Sequence, residues 1–188
     1  KPTVENCREF LLWFRGQYDS TTYDREKFAQ IAALYETASH VLGETGGFWA
    51  CEAGYLWNVL VETKRAESCN LRAVDILEQN APGSLVLASA YNNLSGTYVH
   101  LGDHEEAQKY NLKALAIFEQ VLPPTDPNLA TSYNNVGFTY GALGEHKKAL
   151  EYKLKALKIK EQVLPSTHPD LALSYNNVGF TYGHLGDH

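Results

Sequence analysis

The residues best suited to chemistry in this chain recur at a fixed spacing. His104, His146 and His188 stand 42 positions apart, and so do the pairs Asn92-Asn93, Asn134-Asn135 and Asn176-Asn177. Imidazoles ligate metals and move protons. Paired carboxamides donate and accept hydrogen bonds, either to a ligand or to a neighbouring helix. Because the histidines follow the repeat strictly and sit beside a turn, they are expected to pack rather than to bind metal. No nucleophile, base and orienting group assemble, and no glycine-rich phosphate loop is present. Neither enzyme activity nor a metal or cofactor is therefore expected.

The remaining reactive or charged groups read blandly. Cys7, Cys51 and Cys69 are scattered, and none forms a C-x-x-C pair, which argues against a metal site or a disulfide framework. Buried or half-buried free thiols in a reducing compartment are expected, hence a cytoplasmic, intracellular location. A net charge of −6 and a pI near 5.6 give no electrostatic reason to hold phosphate backbones. The lysine-rich stretch from Lys147 to Lys160 is interleaved with Glu145, Glu151 and Glu161 and reads as a solvated helix face. No apolar run approaches the ~18–20 residues of a membrane span. Lys1 is followed by no charged-then-apolar leader, and the chain is expected to be a fragment of a larger multidomain protein.

These residues are positioned by a repeat. SYNNVGFTYGALGEH (132–146) and SYNNVGFTYGHLGDH (174–188) differ at two positions, and QKYNLKALAIFEQVLPPTDP (108–127) aligns with EYKLKALKIKEQVLPSTHP (151–169). Each unit predicts two helices. The first begins near Pro127 or Pro169, where a missing N–H is harmless, with Asp126 as a cap and His168 as a poorer one. Leu129, Tyr133, Val136 and Tyr140 form its buried stripe. Gly102, Gly144 and Gly186 end the first helices, after which Asp103 and Asp187 can cap the next ones. The second helix buries Ala149, Tyr152, Ala156 and Ile159, matched by Ala107, Tyr110, Ala114 and Ile117. It stops at Pro123-Pro124 or Pro165. The short connections require antiparallel neighbours.

The organisation is uneven along the chain. Residues 84–126 and 127–168 are full units, and 169–188 is the first helix of a further one. Residues 46–83 form a degenerate helix pair, in which Arg65-Ala66-Glu67, Leu71, Ala73, Ile76, Glu78 and Gln79 match the second helix at a step of 41. Its first helix, over 46–61, keeps Trp57 where Tyr98 stands but lacks the glycine turn. Residues 1–45 show helical patterns over 4–17 and 23–42 and are expected to cap the array or end a preceding domain, with Phe10, Trp13 and Phe14 packed inside.

This pattern resembles the tetratricopeptide repeat family, whose first helix carries an aromatic, a Leu-Gly-like pair and a Tyr, and whose second carries two alanines seven apart. Tyr133, Val136-Gly137, Tyr140, Ala149 and Ala156 fit those places, as do Tyr175, Val178-Gly179 and Tyr182. In the earlier copy Tyr91, Leu94, Tyr98, Ala107 and Ala114 fit, with Ser95 replacing the glycine. The small residues suit a close helix crossing. The 42-residue unit, against about 34 in the usual family member, is similar to the kinesin-light-chain-like branch. Asn111 and Lys153 depart from the pattern at a second-helix place where the family has an aromatic, so Leu112 and Leu154 are expected to take over the packing there. The resemblance is strong over 84–188, weak over 46–83 and nearly absent over 1–45. It implies an all-α fold, a right-handed superhelical α-solenoid of antiparallel helix pairs.

The resemblance also implies a concave groove lined by the first helices, which takes extended or helical peptides. The corresponding positions are Ser89, Asn92, Gly96 and His100, then Thr131, Asn134, Phe138 and Ala142, then Leu173, Asn176, Phe180 and His184. This stripe carries no charge, which excludes the mode in which lysines and arginines on these helices grip a C-terminal carboxylate. Asn92, Asn134 and Asn176 are expected to face a ligand, and Asn93, Asn135 and Asn177 to join helices. A protein- or peptide-binding scaffold is the leading expectation. The alternative is self-association through the open face of the last repeat, an end that otherwise frays. RNA binding is disfavoured by the acidic charge and the absence of groove cations.

Overall fold

The computed structural model of the chain describes residues 25–41 and 46–186, and eight helices account for its regular structure. The helix expected over 4–17, with Phe10, Trp13 and Phe14, lies outside the described residues, as do Cys7, Asp187 and His188. The chain divides into two compact units, Lys1–Asn80 and Ala81–His188.

In the first unit α1 (Arg25–Val41), α2 (Gly46–Val59) and α3 (Thr63–Asn80) pack in succession. Their core holds Ile31, Tyr35, Trp49, Ala53, Trp57, Leu60, Ala66 and Cys69. Trp57 donates from Nε1 to Glu36 at 3.2 Å, and the Arg65 guanidinium lies 4.2 Å above its ring. Gly54 is required by sterics, because a Cβ there would fall 1.9 Å from Oδ1 of the fully buried Asn70. Cys51 and Cys69 are buried free thiols, and burial raises the Cys69 pKa to about 12. The α2–α3 turn keeps the geometry of the later repeats without their glycine. Val61 sits in the left-handed region at φ 62°, and the N–H of Glu62 bonds to the Trp57 carbonyl at 2.9 Å.

The second unit contains α4 (Leu85–Leu101), α5 (His104–Val121), α6 (Pro127–Ala142), α7 (His146–Val163) and α8 (Pro169–Leu185), each packed on its successor. The caps are side chains of the kinds anticipated. Ser84, Asp103 and Asp126 accept from backbone N–H groups of the following turn, and His168 does the same through Nδ1 at 3.2 Å. Glu145 provides no side-chain cap to α7. Gly102, Gly144 and Gly186 have φ near 79°.

Each of the two hairpins is held by three tyrosines. Tyr110 lies against Tyr91 and Tyr98, with centroids 5.9 and 5.7 Å away, and Tyr152 lies against Tyr133 and Tyr140 at 6.2 and 5.5 Å. Between hairpins, the Tyr133 hydroxyl donates to Glu119 at 2.8 Å and the Tyr175 hydroxyl to Glu161 at 2.6 Å. Leu157, Leu171 and Val178 form the apolar seam between α7 and α8, flanked by Leu150 and Leu164.

Two expectations are corrected here. Leu112 is only half-buried and Leu154 is 38% exposed, so neither replaces the missing aromatic. Asn111 and Lys153 fill that space themselves, because their side chains reach polar partners on the next hairpin. The lysine-rich face is also not uniformly solvated. Lys147, Lys148, Lys155 and Lys158 are exposed, but Lys160 turns inward to Ser174 Oγ at 3.0 Å, and Lys153 is half-buried.

Candidate functional site

The first helices α4, α6 and α8 expose one edge of each repeat, and two clefts open between consecutive members. The first cleft, about 190 Å³, is walled by Asn92, Ser95, Gly96, Val99 and His100 of α4 and by Asn135 and Phe138 of α6. Asn111 of α5 forms part of its lining. The second cleft, about 220 Å³, lies between α6 and α8. Phe138, Gly141 and Ala142 line it on one side and Phe180, Thr181 and His184 on the other, with His146 and Lys153 of α7. Phe138 borders both clefts and is 51% exposed.

The first cleft is rich in acceptors. Asn111, 2% exposed, donates from Nδ2 to the Asn135 carbonyl at 3.3 Å and to Thr139 Oγ1 at 3.5 Å. These bonds fix the orientation of its amide and leave Oδ1 buried without a donor. Asn92 Oδ1 is likewise buried and unpaired. Leaving a buried acceptor unpaired costs about 1–3 kcal/mol, so these two oxygens are costly features of the cleft wall. Close by, Thr139 also bonds to the Gln108 amide oxygen. Ser95 donates to the Ala107 carbonyl at 2.9 Å, which explains how a serine serves at the crossing where the next unit has Gly137.

The second cleft offers a donor instead. Lys153 Nζ donates to Thr181 Oγ1 at 2.8 Å and to the Asn177 carbonyl at 3.4 Å. Burial lowers its pKa from the usual lysine value. Gly137 makes room for the lysine stem, since a Cβ there would come within 2.9 Å of Lys153 Cγ and 3.1 Å of the Ala149 carbonyl. The imidazoles of His146 and His184 stack with centroids 4.8 Å apart and planes 7° from parallel, and Phe180 meets His184 edge-on at 4.5 Å.

Of the residues expected to line a groove, Asn92, Gly96, His100, Phe138, Ala142, Phe180 and His184 border these clefts. Ser89, Thr131 and Asn176 are exposed outside them, and Asn134 is half-buried outside them. Ser89 and Thr131 donate back to the carbonyls of Leu85 and Pro127, each at 3.0 Å. The asparagine pairs do not divide simply. The backbone carbonyls of Asn93, Asn135 and Asn177 accept from Thr97, Thr139 and Thr181, yet Asn135 also lines the first cleft. Sequence reasoning missed Asn111, Asn135, His146, Lys153 and Thr181. For Asn111 and Lys153 the signal was present, as a polar residue standing where an aromatic was expected. Among the described residues no three His, Cys, Asp or Glu side chains cluster as metal ligands, and no helix is long and apolar enough to cross a membrane.

A family profile for the tetratricopeptide repeat matches residues 62–120, 86–162 and 128–188. Among solved structures, BtubC (BKLC) from P. vanneervenii is similar at 22% identity and a TM-score of 0.77, over 86% of this chain and 67% of that one. A Podosopora anserina protein described as a kinesin light chain with nearly identical TPR-like repeats is 19% identical, with a TM-score of 0.68, over 73% of this chain and 66% of that one. A Rap protein complexed with competence and sporulation factor is also 19% identical, with a TM-score of 0.68, over 92% of this chain. The chain spans 47% of that Rap protein, and so less than half its length. No curated protein matches the sequence. The repeat profile spans more than half of the chain, which therefore belongs to the tetratricopeptide repeat family.

Proposed function

We propose that this member of the tetratricopeptide repeat family is a protein-interaction scaffold that takes a peptide segment along the edge formed by α4, α6 and α8. The observation that carries the proposal is the first cleft, where two buried carboxamide oxygens, Asn92 Oδ1 and Asn111 Oδ1, lack donors beside the exposed ring of Phe138. A polypeptide backbone supplies N–H donors at regular intervals, and an apolar side chain of the same segment covers the ring. The Rap relative, solved in complex with competence and sporulation factor, supports a binding role for this kind of fold. The scaffold is proposed to act in the cytoplasm, as one part of a larger protein, and without catalysis of its own.

The test is to pan a random peptide library on the chain and measure the selected peptides against the Asn92→Ala/Phe138→Ala double variant. Loss of binding with unchanged melting supports the proposal, and equal binding rejects it.

A second reading is self-association of the array. Sedimentation velocity from 1 to about 100 µM separates the readings, since micromolar association raises the sedimentation coefficient over that range. A monomer throughout removes the second.

A further inference from the structure

We infer that Lys153 is an acylation site, whose Nζ takes an acetyl group from a thioester or an acyl phosphate and so turns the second cleft from cationic to neutral. The inference goes beyond the scaffold proposal and stands whether or not the groove takes a peptide.

The internal repeat shows what an amide does at this position. Asn111 stands 42 residues earlier and joins the hairpins through its carboxamide nitrogen, which donates to the Asn135 carbonyl at 3.3 Å and to Thr139 Oγ1 at 3.5 Å. Lys153 makes the matching contacts with an ammonium, to the Asn177 carbonyl at 3.4 Å and to Thr181 Oγ1 at 2.8 Å. An acetylated lysine is a secondary amide and keeps one N–H. That N–H can stay on Thr181 Oγ1, the shorter of the two contacts. The Asn177 carbonyl then loses only its longer bond, because Thr181 Oγ1 also donates to it at 2.8 Å. No backbone acceptor is orphaned, and the cleft gains the neutral amide that Asn111 gives the first one.

Position and environment both favour reaction at this lysine. Lys153 lines a cleft of about 220 Å³, and the exposed rings of Phe138 and Phe180 are there to cover an acetyl methyl. Acyl transfer needs the uncharged amine. Hydrogen bonds to Glu106 and Glu145 hold Lys109 and Lys148 protonated. Lys153 bonds instead to a hydroxyl and a carbonyl, and burial lowers its pKa, so more of it is amine at a given pH. The amine attacks the acyl carbon, and a C–N bond replaces the C–S bond of the thioester or the C–O bond of the acyl phosphate. The proton shed by nitrogen ends on the departing thiolate or phosphate. Acylation also removes the cost of holding a half-buried cation.

The experiment treats the full chain with N,S-diacetylcysteamine, an acetyl thioester, and follows each lysine by peptide mass spectrometry at pH 7 and pH 10. Lys153 is expected to react at least about threefold faster than Lys148 at pH 7, and the ratio should fall at pH 10 as Lys148 loses its proton. In urea the two should react alike at both values. A ratio in the folded chain that does not change with pH overturns the inference, and so does a Lys153 that stays unmodified while Lys148 reacts. A second arm installs acetyl-lysine in place of Lys153 by codon suppression. This chain should melt at or above the Tm of the unmodified one at pH 7, with a nuclear Overhauser effect from the new amide N–H to the Thr181 methyl. A Tm lower by more than about 2 °C shows that the amide does not fit the joint and overturns the inference. Neither arm uses a peptide ligand, so failure here leaves the scaffold reading untouched.

Discussion

Lys153 of α7 donates to the Thr181 hydroxyl of α8 at 2.8 Å, and so joins two successive hairpins through a half-buried ammonium. Its counterpart one repeat earlier, Asn111, reaches Thr139 without any charge. The two units thus differ in residue type at a position that faces the clefts.

The desolvation of Lys153 has a consequence for stability. Its folded pKa lies below the unfolded lysine value, so folding disfavours its charged form. The full penalty applies below the folded pKa, where both states are protonated. Between the two pKa values the unfolded chain binds more protons, stability rises with pH, and the penalty is gone above the unfolded value. Lys153→Met is expected to be more stable than the native chain at neutral pH, and the advantage should shrink as the pH rises toward the lysine range. Thermal melts at pH 7 and pH 10 check both the direction and the trend.

Gly137 and Gly96 should respond oppositely to alanine. A Cβ at Gly137 meets Lys153 Cγ at 2.9 Å and the Ala149 carbonyl at 3.1 Å, whereas a Cβ at Gly96 meets nothing within 4 Å. Gly137→Ala is expected to destabilise by about 1–3 kcal/mol through overpacking. Gly96→Ala is expected to stabilise by about 0.5–1 kcal/mol through helix propensity. Urea unfolding of the two variants gives the signs directly.

Val61 is a β-branched residue at φ 62°, in the turn position that Gly102 fills one repeat later. The left-handed conformation costs a residue with a Cβ about 1–2 kcal/mol, partly offset in glycine by its larger unfolded entropy. Val61→Gly should therefore stabilise the first unit by about 1 kcal/mol. Protection of the α2 and α3 amides from hydrogen exchange should rise accordingly.

Among the described residues, Tyr133 is a tyrosine that its surroundings shift strongly. Burial, then its hydrogen bond to Glu119 and the charge of that carboxylate, push its pKa up to about 12. Because the folded value exceeds the unfolded one, its contribution is present below pH 10 and is lost as the pH rises from there. An ultraviolet phenolate titration should show a group ionising near pH 12 that Tyr133→Phe removes.

The fold was legible because the pattern that encodes it is redundant. Leu129, Val136, Ala149 and Ala156 recur at helical spacing and are all buried, and the glycine turns at 102, 144 and 186 adopt the conformation their residue type suggests. The clefts were only half legible. Phe138, Phe180 and Asn92 follow from the first-helix stripe, but the cleft linings also take residues from the second helices. Whether Asn111 and Lys153 point outward or across depends on the space opposite, at Ser95 and Gly137, and a periodic pattern along one helix does not contain that information. The uncharged stripe excluded cations on the first helices, and it could not foresee one entering from α7.

The most direct test of the scaffold reading is the affinity of library-selected peptides for the Asn92→Ala/Phe138→Ala variant. Removing an unpaired buried oxygen relieves its desolvation cost and removing an exposed ring touches no packed core, so Tm should not fall by more than about 2 °C. The account predicts at least about tenfold weaker binding at that unchanged stability. Undiminished affinity in a fully folded double variant would contradict it.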